Sequence, residues 1–229
     1  MLRKSRGTAR RTTARTATVA AAVAMLATAT PYVAFADGPA TASDGSVVNT
    51  TPPAQPEEAV TDVPADQVGV VPKDDTKPPS AGNAPAVEQC DQANVYLPKT
   101  KGKQYHQGVG PTNSNYNNTS RTAKSTFTSE VTGSVGVSVS AGLTISINAL
   151  IGKIEQKYDV HLSASLTAKL GNTISVDTPP KTTTNAKYGV YRLKNTGISY
   201  RIYSNCESSP QKTVTSYTPL KVGWYLWEN

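Results

Sequence analysis

The residues that could support acid–base or nucleophilic catalysis are few in this sequence of 229 residues. Nucleophilic catalysis needs a base placed against Ser, Cys or Thr. His106 lies in a basic, polar stretch and His161 alternates with Ser and Lys, so we expect both imidazoles to be solvated. Glu155 and Asp159 fall on a predicted hairpin tip, where a paired-carboxylate hydrolase site would be unusual. The sequence therefore predicts no catalytic residue and a protein that is not an enzyme.

Metal and cofactor sites are not indicated either. No His, Asp or Glu cluster has metal-ligand spacing, and no Gly-rich loop precedes a helix. Cys90 and Cys206 are the two cysteines, and they form no C-x-x-C motif. An even number of cysteines in an exported chain predicts a disulfide. This disulfide would close a loop of roughly 100 residues and stabilise the fold by about 4–5 kcal/mol in the chain-entropy model.

Residues 1–36 have the order of a secretory signal peptide. Six Arg and Lys residues without an acid precede an Ala- and Val-rich run, and Ala34-Phe35-Ala36 forms an A-x-A cleavage site. Thr and Pro residues interrupt the apolar run, which disfavours a transmembrane anchor. We therefore expect a secreted, extracellular protein.

The basic isoelectric point of 9.3 depends largely on this signal. Removing its six basic residues leaves 17 basic against 16 acidic side chains, a net charge of +1. A basic chain would suggest a nucleic-acid partner, but the mature chain gives no such indication. No nucleic-acid binding is predicted.

Residues 37–87 differ in composition from all that follows. They hold eight acidic and two basic side chains, nine prolines and no aromatic residue. Such a segment buries too little apolar surface to offset the entropy of ordering, so we predict a disordered, Pro-rich acidic arm. Residues 88–229 carry 15 basic and eight acidic side chains and all aromatic residues after the signal. This length is sufficient for one domain with its own core.

Two long segments of the domain alternate between apolar and polar residues. In the first, the odd positions from 127 to 149 are mostly apolar; in the second, the even positions from 160 to 176 are. A period of two places each set on one face of a strand. The short connection 150–158 makes the pair antiparallel, and apolar residues at helical spacing within it predict a short amphipathic turn.

The remaining sequence also favours strands. Residues 188–193 and 198–203 predict a hairpin around a Gly-containing turn at 194–197. Further strands are predicted at 212–217 and 220–227, and a loop or irregular edge at 98–125. The predicted fold class is all-β: an elongated antiparallel sheet or sandwich with a long β-hairpin, preceded by the disordered arm.

Candidate partner-binding residues lie in both regions. Val68, Val70 and Val71 gather between two prolines of the arm, either as part of a plain linker or as an extended peptide that docks on a partner's sheet edge. On the domain, aromatic residues of the later strands are the candidates. These are Tyr191, Tyr203 and Trp224.

Two protein families show a similar layout. The signal, acidic arm, two cysteines and Tyr-rich end resemble the small adaptor subunit of secreted bacterial umbrella toxin particles. That resemblance implies an extended arm that inserts into a lectin-bearing subunit and a β-rich body that docks on the large toxin subunit. The Ser/Thr-rich pair of segments, the step at Pro179-Pro180 and the Tyr-rich strand after it resemble the elongated domain of aerolysin-type β-pore-forming proteins.

The arm favours the first resemblance. An adaptor has a use for an acidic, Pro-rich leader, whereas a pore former has no evident need of one. We therefore predict a secreted adaptor whose partners are other secreted proteins of a toxin complex. A pore-forming protein that acts on membranes is the main alternative, since the alternating hairpin has the length of transmembrane β-strands; a surface or matrix protein is the third.

Overall fold

The computed structural model describes residues 40–41, 47, 49–56, 58–73 and 90–229. The predicted signal, 1–36, lies outside these residues, as do parts of the predicted arm. The strands are β1 (Ala40–Thr41), β2 (Thr61–Asp62), β3 (Ala93–Gly108), β4 (Asn113–Tyr116), β5 (Ala123–Thr128), β6 (Gly133–Gly136), β7 (Ser138–Val139), β8 (Ser165–Ala168), β9 (Thr173–Thr178), β10 (Thr183–Ile202) and β11 (Lys212–Glu228). One α-helix, α1 (Ile147–Tyr158), and a 3-10 turn at Ala65–Gln67 complete the described elements.

The largest sheet is built on two long antiparallel strands. β10 and β11 pair from Thr184 opposite Glu228 to Ser199 opposite Lys212. β3 and β4 pair antiparallel with the other edge of β10, while β7 lies beside β11 and β2 beside β7. The resulting order is β2-β7-β11-β10-β3, and two smaller sheets are β1-β9-β5 and β6-β8. The structure thus confirms the all-β, mainly antiparallel fold class.

β10 is one continuous strand of 20 residues, so the predicted hairpin with a turn at 194–197 is wrong. Asn195 is buried; its amide donates to the carbonyl of Thr100 (2.9 Å) and its Oδ1 accepts from the hydroxyl of Tyr96 (2.6 Å). Gly197 leaves space for the Tyr96 ring, because a Cβ there would lie 2.5 Å from it. These residues of turn-forming type therefore serve side-chain packing within a strand.

Of the two alternatives predicted for 98–125, the loop is wrong, because this stretch contains most of β3, all of β4 and the start of β5. The irregular edge agrees with the structure, since the pairing of β3 with β10 shifts register twice. β3 is an edge strand, where lysines and a proline are tolerated. The two strands predicted at 212–217 and 220–227 are joined in β11. Pro219 and Lys221 pair with two adjacent residues of β10, so Leu220 between them is the extra residue of a β-bulge.

The two alternating segments pair antiparallel, as predicted, over a shorter length. β5 pairs with β9 and β6 with β8. Between the ladders, the amide of Ser129 donates to the carbonyl of Asn172 (2.9 Å), in the same register. Beyond Gly136 the expected strand does not continue, because the chain pairs β7 with β11, turns at Gly142 with φ +98° and enters α1.

α1 is amphipathic and longer than the predicted turn at 150–158. The Ser146 side chain accepts from the amide of Ala149 (3.3 Å) and caps the first turn. Asp159, in the left-handed conformation, ends the helix. Leu150 and Ile154 are fully buried and contribute to the main apolar core.

That core lies between α1 and the C-terminal half of β10. Its members include Tyr96, Val137, Leu143, Ile145, Leu193 and Val214. Val135 and Ala168 pack against Tyr188 and Val190 in a second cluster, and Phe127 and Val176 against Ala186 in a third. The apolar face predicted from the alternation is therefore largely the buried one.

The predicted disulfide is confirmed. Cys90 and Cys206 are bonded, with Cα atoms 5.1 Å apart and a sequence separation of 116. Cys90 precedes β3 and Cys206 follows β10, so the bond joins the ends of two paired strands.

We expect Cys206→Ser to lower the melting temperature by roughly ten degrees or more, because about 4–5 kcal/mol of loop-closure stabilisation is lost. Differential scanning calorimetry of the variant and of the wild type with and without reductant measures this. The reduced wild type should match the variant. Free thiols in the native protein would contradict the prediction.

Candidate protein-binding surfaces

Part of the predicted arm lies against the domain. In the arm segment, residues 58–73, Thr61 and Asp62 pair antiparallel with Val139 and Ser138 as strand β2. The amide of Val63 donates to the carbonyl of Val137 (2.9 Å) and extends the pairing. This segment therefore adds an edge strand to the main sheet, which is the way extended peptides commonly bind.

Two acidic side chains of the arm segment meet basic side chains of β10. The Glu58 carboxylate accepts hydrogen bonds from Lys194 Nζ and from the Tyr217 hydroxyl. Asp62 accepts from the Ser138 hydroxyl, whose oxygen accepts from the buried Arg192 guanidinium at 2.6 Å. We call Ser138, Arg192, Lys194 and Tyr217 the arm site. Its charge complements that of the arm.

The electrostatics of the arm site follow from these contacts. Hydrogen bonds from Lys194 and Tyr217 hold the pKa of Glu58 below its ordinary value. Burial raises the pKa of Tyr217, and the adjacent Glu58 carboxylate raises it further. Burial lowers the pKa of Arg192, whose guanidinium also lies 5.4 Å from the centre of the Tyr217 ring. The docked state thus favours an ionised carboxylate and a neutral phenol.

The candidate valines divide into two groups. Val68 is half-buried against the main core, and its carbonyl accepts from the amide of Asn148 at the start of α1 (3.3 Å). Val70 and Val71 are 58% and 47% exposed. Val63, the first residue of the predicted docking peptide 63–72, is also packed on the core. The structure therefore places Val68 on the domain and leaves Val70 and Val71 open to solvent.

A second contact region lies nearer the start of the described arm. The amide of Glu228 donates to the carbonyl of Asn49 (2.9 Å), and the Asn49 side chain donates to the carbonyl of Leu226 (2.8 Å). The Tyr225 hydroxyl donates to the carbonyl of Thr51 (3.4 Å). The arm thus touches the end of β11 as well as the arm site.

The aromatic candidates on the domain are not equivalent. The Tyr191 hydroxyl donates to the carbonyl of Trp224 (2.8 Å), and the indole of Trp224 donates to Asn172 (2.7 Å). Both rings keep part of their surface accessible. Tyr203 is 5% exposed, so it offers almost no surface to a partner. Tyr191 and Trp224 lie on opposite faces of the sheet, because Trp224 packs with Tyr188 and Val190, the neighbour of Tyr191.

The expectation of a solvated His106 is wrong. Its side chain is 4% exposed in β3, and Nε2 donates to the carbonyl of Gly223 (3.1 Å). The ring contacts Tyr191 and Tyr225, with centroids 4.8 and 5.7 Å away. Burial lowers the pKa of His106, so the imidazole is neutral at pH 7. The polar, Gly- and Asn-rich sequence of 98–125 gives no local sign of the strand in which His106 is buried.

The other residues that could take part in catalysis lie apart from one another. His161 is exposed, and the Glu155 carboxylate accepts from the backbone amide of Leu162 (2.7 Å). Within the described ranges, no group of three His, Cys, Asp or Glu side chains is arranged to hold a metal ion. No helix in that part of the chain is long and apolar enough to cross a membrane.

Searches against protein-family models, curated proteins and solved structures found no match for the chain.

We expect Val68→Asp to release the arm segment from the domain, because a charge would be placed against the apolar core. Amide hydrogen exchange of Val63 should become at least about tenfold faster, the factor equivalent to 1.4 kcal/mol. Asp66→Asn, a change at an exposed arm residue, is the matched control and should leave exchange unchanged. Equal exchange rates in Val68→Asp and wild type would contradict this docking.

The docking should also depend on pH through Glu58. Because its docked pKa lies below the ordinary value of 4.5, its contribution is complete above about pH 4.5 and is lost as the pH falls through the lowered pKa. The Val63 amide should exchange faster there, after correction for intrinsic rates, and Glu58→Gln should abolish this dependence.

Proposed function

We propose that the protein is a secreted, non-enzymatic adaptor that binds one protein partner through its N-terminal arm and another through its β-domain. The observation that carries the proposal is the geometry of the arm. It is anchored to the domain by Glu58, Asp62, Val63 and Val68, yet it presents Val70 and Val71 to solvent. An anchored arm with an exposed apolar pair is suited to bringing a partner to a fixed place beside the domain.

Two further features support this proposal. The disulfide favours export, since such bonds persist in oxidising compartments. The resemblance to adaptor subunits of umbrella toxin particles makes an antibacterial toxin complex the proposed setting. In that setting, the partners are other secreted proteins.

The arm contact can be tested with variants that leave the fold intact. Because both side chains are exposed, the double variant Val70→Asp, Val71→Asp should fold normally. In affinity purification from culture supernatant it should lose one partner and retain the other. Val131→Asp, a change at another exposed valine, is the control and should retain both partners. Unchanged recovery of every partner by the double variant would remove the arm contact from the proposal.

A pore-forming protein is the second candidate, and one observation favours it. β5–β9 and β6–β8 keep one register, and hydroxyl pairs such as Thr126 with Ser175 (2.9 Å) and Ser134 with Thr167 (2.8 Å) line an exposed face. A membrane hairpin also needs one polar and one apolar face. In the described structure, however, the apolar face is packed on β10.

Membrane insertion would require β7 to leave β11. The adaptor proposal predicts that the purified protein leaves dye-loaded lipid vesicles intact. If the vesicles leak, a disulfide between Val139→Cys and Ser216→Cys, which are paired residues of β7 and β11, should stop the leakage and reductant should restore it. That pair of results would favour the pore former over the adaptor.

A further inference from the structure

A cleft of about 310 Å³ lies between the arm segment and the connection from β7 to α1. Its arm wall includes Val63, Val70 and Pro72, and its domain wall includes Val139 and Ala141. Because the two walls come from different parts of the chain, the cleft exists only while the arm segment is docked.

The lining of the cleft is mainly apolar, and its mouth is open to solvent. The floor is formed by the main apolar core at Leu143 and Ile147, which are both buried. The accessible apolar surface lies at the mouth, where three lining residues are exposed: Val70, Pro72 and Ala141. Ligand pockets usually have volumes of about 300–1,000 Å³. This cleft is at the lower end of that range, so it suits one compact group rather than a length of peptide.

The apolar surface continues from the cleft onto the exposed pair of the arm. Val70 belongs to both, since it lines the cleft and is 58% exposed. Val71 is 47% exposed and lies outside the lining. A small molecule that filled the cleft would leave Val71 uncovered, whereas a side chain projecting from a partner protein would bring its neighbouring residues over Val71. The surface therefore fits a protein partner.

A lysine beside the cleft favours an aromatic occupant. A Cβ on Gly142, a lining residue, would lie 2.8 Å from Cδ of Lys212. The Lys212 ammonium, two bonds further along, is thus close to the cleft, and an ammonium attracts the face of an aromatic ring. Aromatic side chains that fill pockets are also the commonest anchors of protein interfaces. Residues 37–87 contain no aromatic residue, so the arm cannot supply this anchor itself.

We propose that the cleft receives an aromatic side chain of the partner that contacts the arm, and that partner binding and arm docking are coupled. The inference rests on the proposed adaptor function, whose arm contact it locates. Because the docked arm completes the site, docking raises the affinity for the partner, and the partner must stabilise docking by the same factor. The arm segment is then one half of the binding site rather than a free peptide ligand.

A model compound tests the cleft without the partner. N-acetyl-tryptophanamide should bind the full chain saturably with a Kd on the order of 1 mM, and N-acetylalaninamide should not. At ten times its Kd, the tryptophan compound should slow amide exchange of Val63 about tenfold, because a ligand stabilises the docked state by the factor 1 + [L]/Kd. Ala141→Phe should abolish binding by filling the cleft. Ala93→Phe, at an exposed alanine outside the lining, is the matched control and should bind normally.

Dependence on the arm distinguishes the cleft from other apolar sites. Val68→Asp, which should release the arm segment, should weaken binding of N-acetyl-tryptophanamide by at least about tenfold, and Asp66→Asn should not. The proposal is overturned by an absence of binding, by equal binding to wild type and Ala141→Phe, or by unchanged exchange of Val63. Slower exchange of Val63 on concentrating the protein without the compound would also overturn it, because the cleft would then hold a second copy, whose Tyr116 is 55% exposed.

This proposal and the adaptor function fail separately. If no secreted partner is recovered but N-acetyl-tryptophanamide binds and slows exchange of Val63, the adaptor function is lost and the cleft stands as an aromatic-binding site. If wild type and Ala141→Phe recover the same partners and the compound does not bind, the cleft is lost and the adaptor function stands.

Discussion

The backbone ladder of β10 is the interaction on which the rest of the structure depends. This strand is paired along one edge by β11 and along the other by β3 and β4. Its side chains take part in all three apolar clusters. Because an interior strand of this length has nearly all of its backbone groups paired, it defines a rigid reference for the elements packed on it. The arm site and the core beneath α1 are both positioned relative to β10.

The sequence predicted the fold class and the disulfide better than it predicted where strands begin and end. Alternation over 127–149 and 160–176 indicated the antiparallel pairing and most of the buried face, because a period of two is a local property of strands. It could not show that β7 pairs with β11 instead of continuing the predicted hairpin, since that pairing depends on residues far away in the sequence. Likewise, Asn195 and Gly197 are typical of turns, and only Tyr96 explains their place in a strand.

The candidate site could be predicted only in part, because its contacts also join residues that are far apart in the sequence. The arm valines were visible as an apolar group between prolines, and the structure separates Val68 from Val70 and Val71. Glu58 and Asp62 were counted only as contributors to an acidic composition. Lys194, which donates to Glu58, and Arg192, which reaches Asp62 through Ser138, belong to a strand more than a hundred positions later in the chain. No local pattern pairs them. The opposite charges of arm and domain were the signal that could have suggested it.

The position of the disulfide has a mechanical consequence. If the proposed adaptor bears tension between two partners, a pull that detaches the arm segment next reaches the β-domain at Cys90. Ala93 and Ile202 form the first pair of the β3–β10 ladder from that end. Without the disulfide, pulling there would separate the residue pairs of the ladder one after another. The bond to Cys206, just beyond β10, carries the force covalently across the end of the ladder. The two strands then share the force, and their residue pairs are not pulled apart one by one from this end.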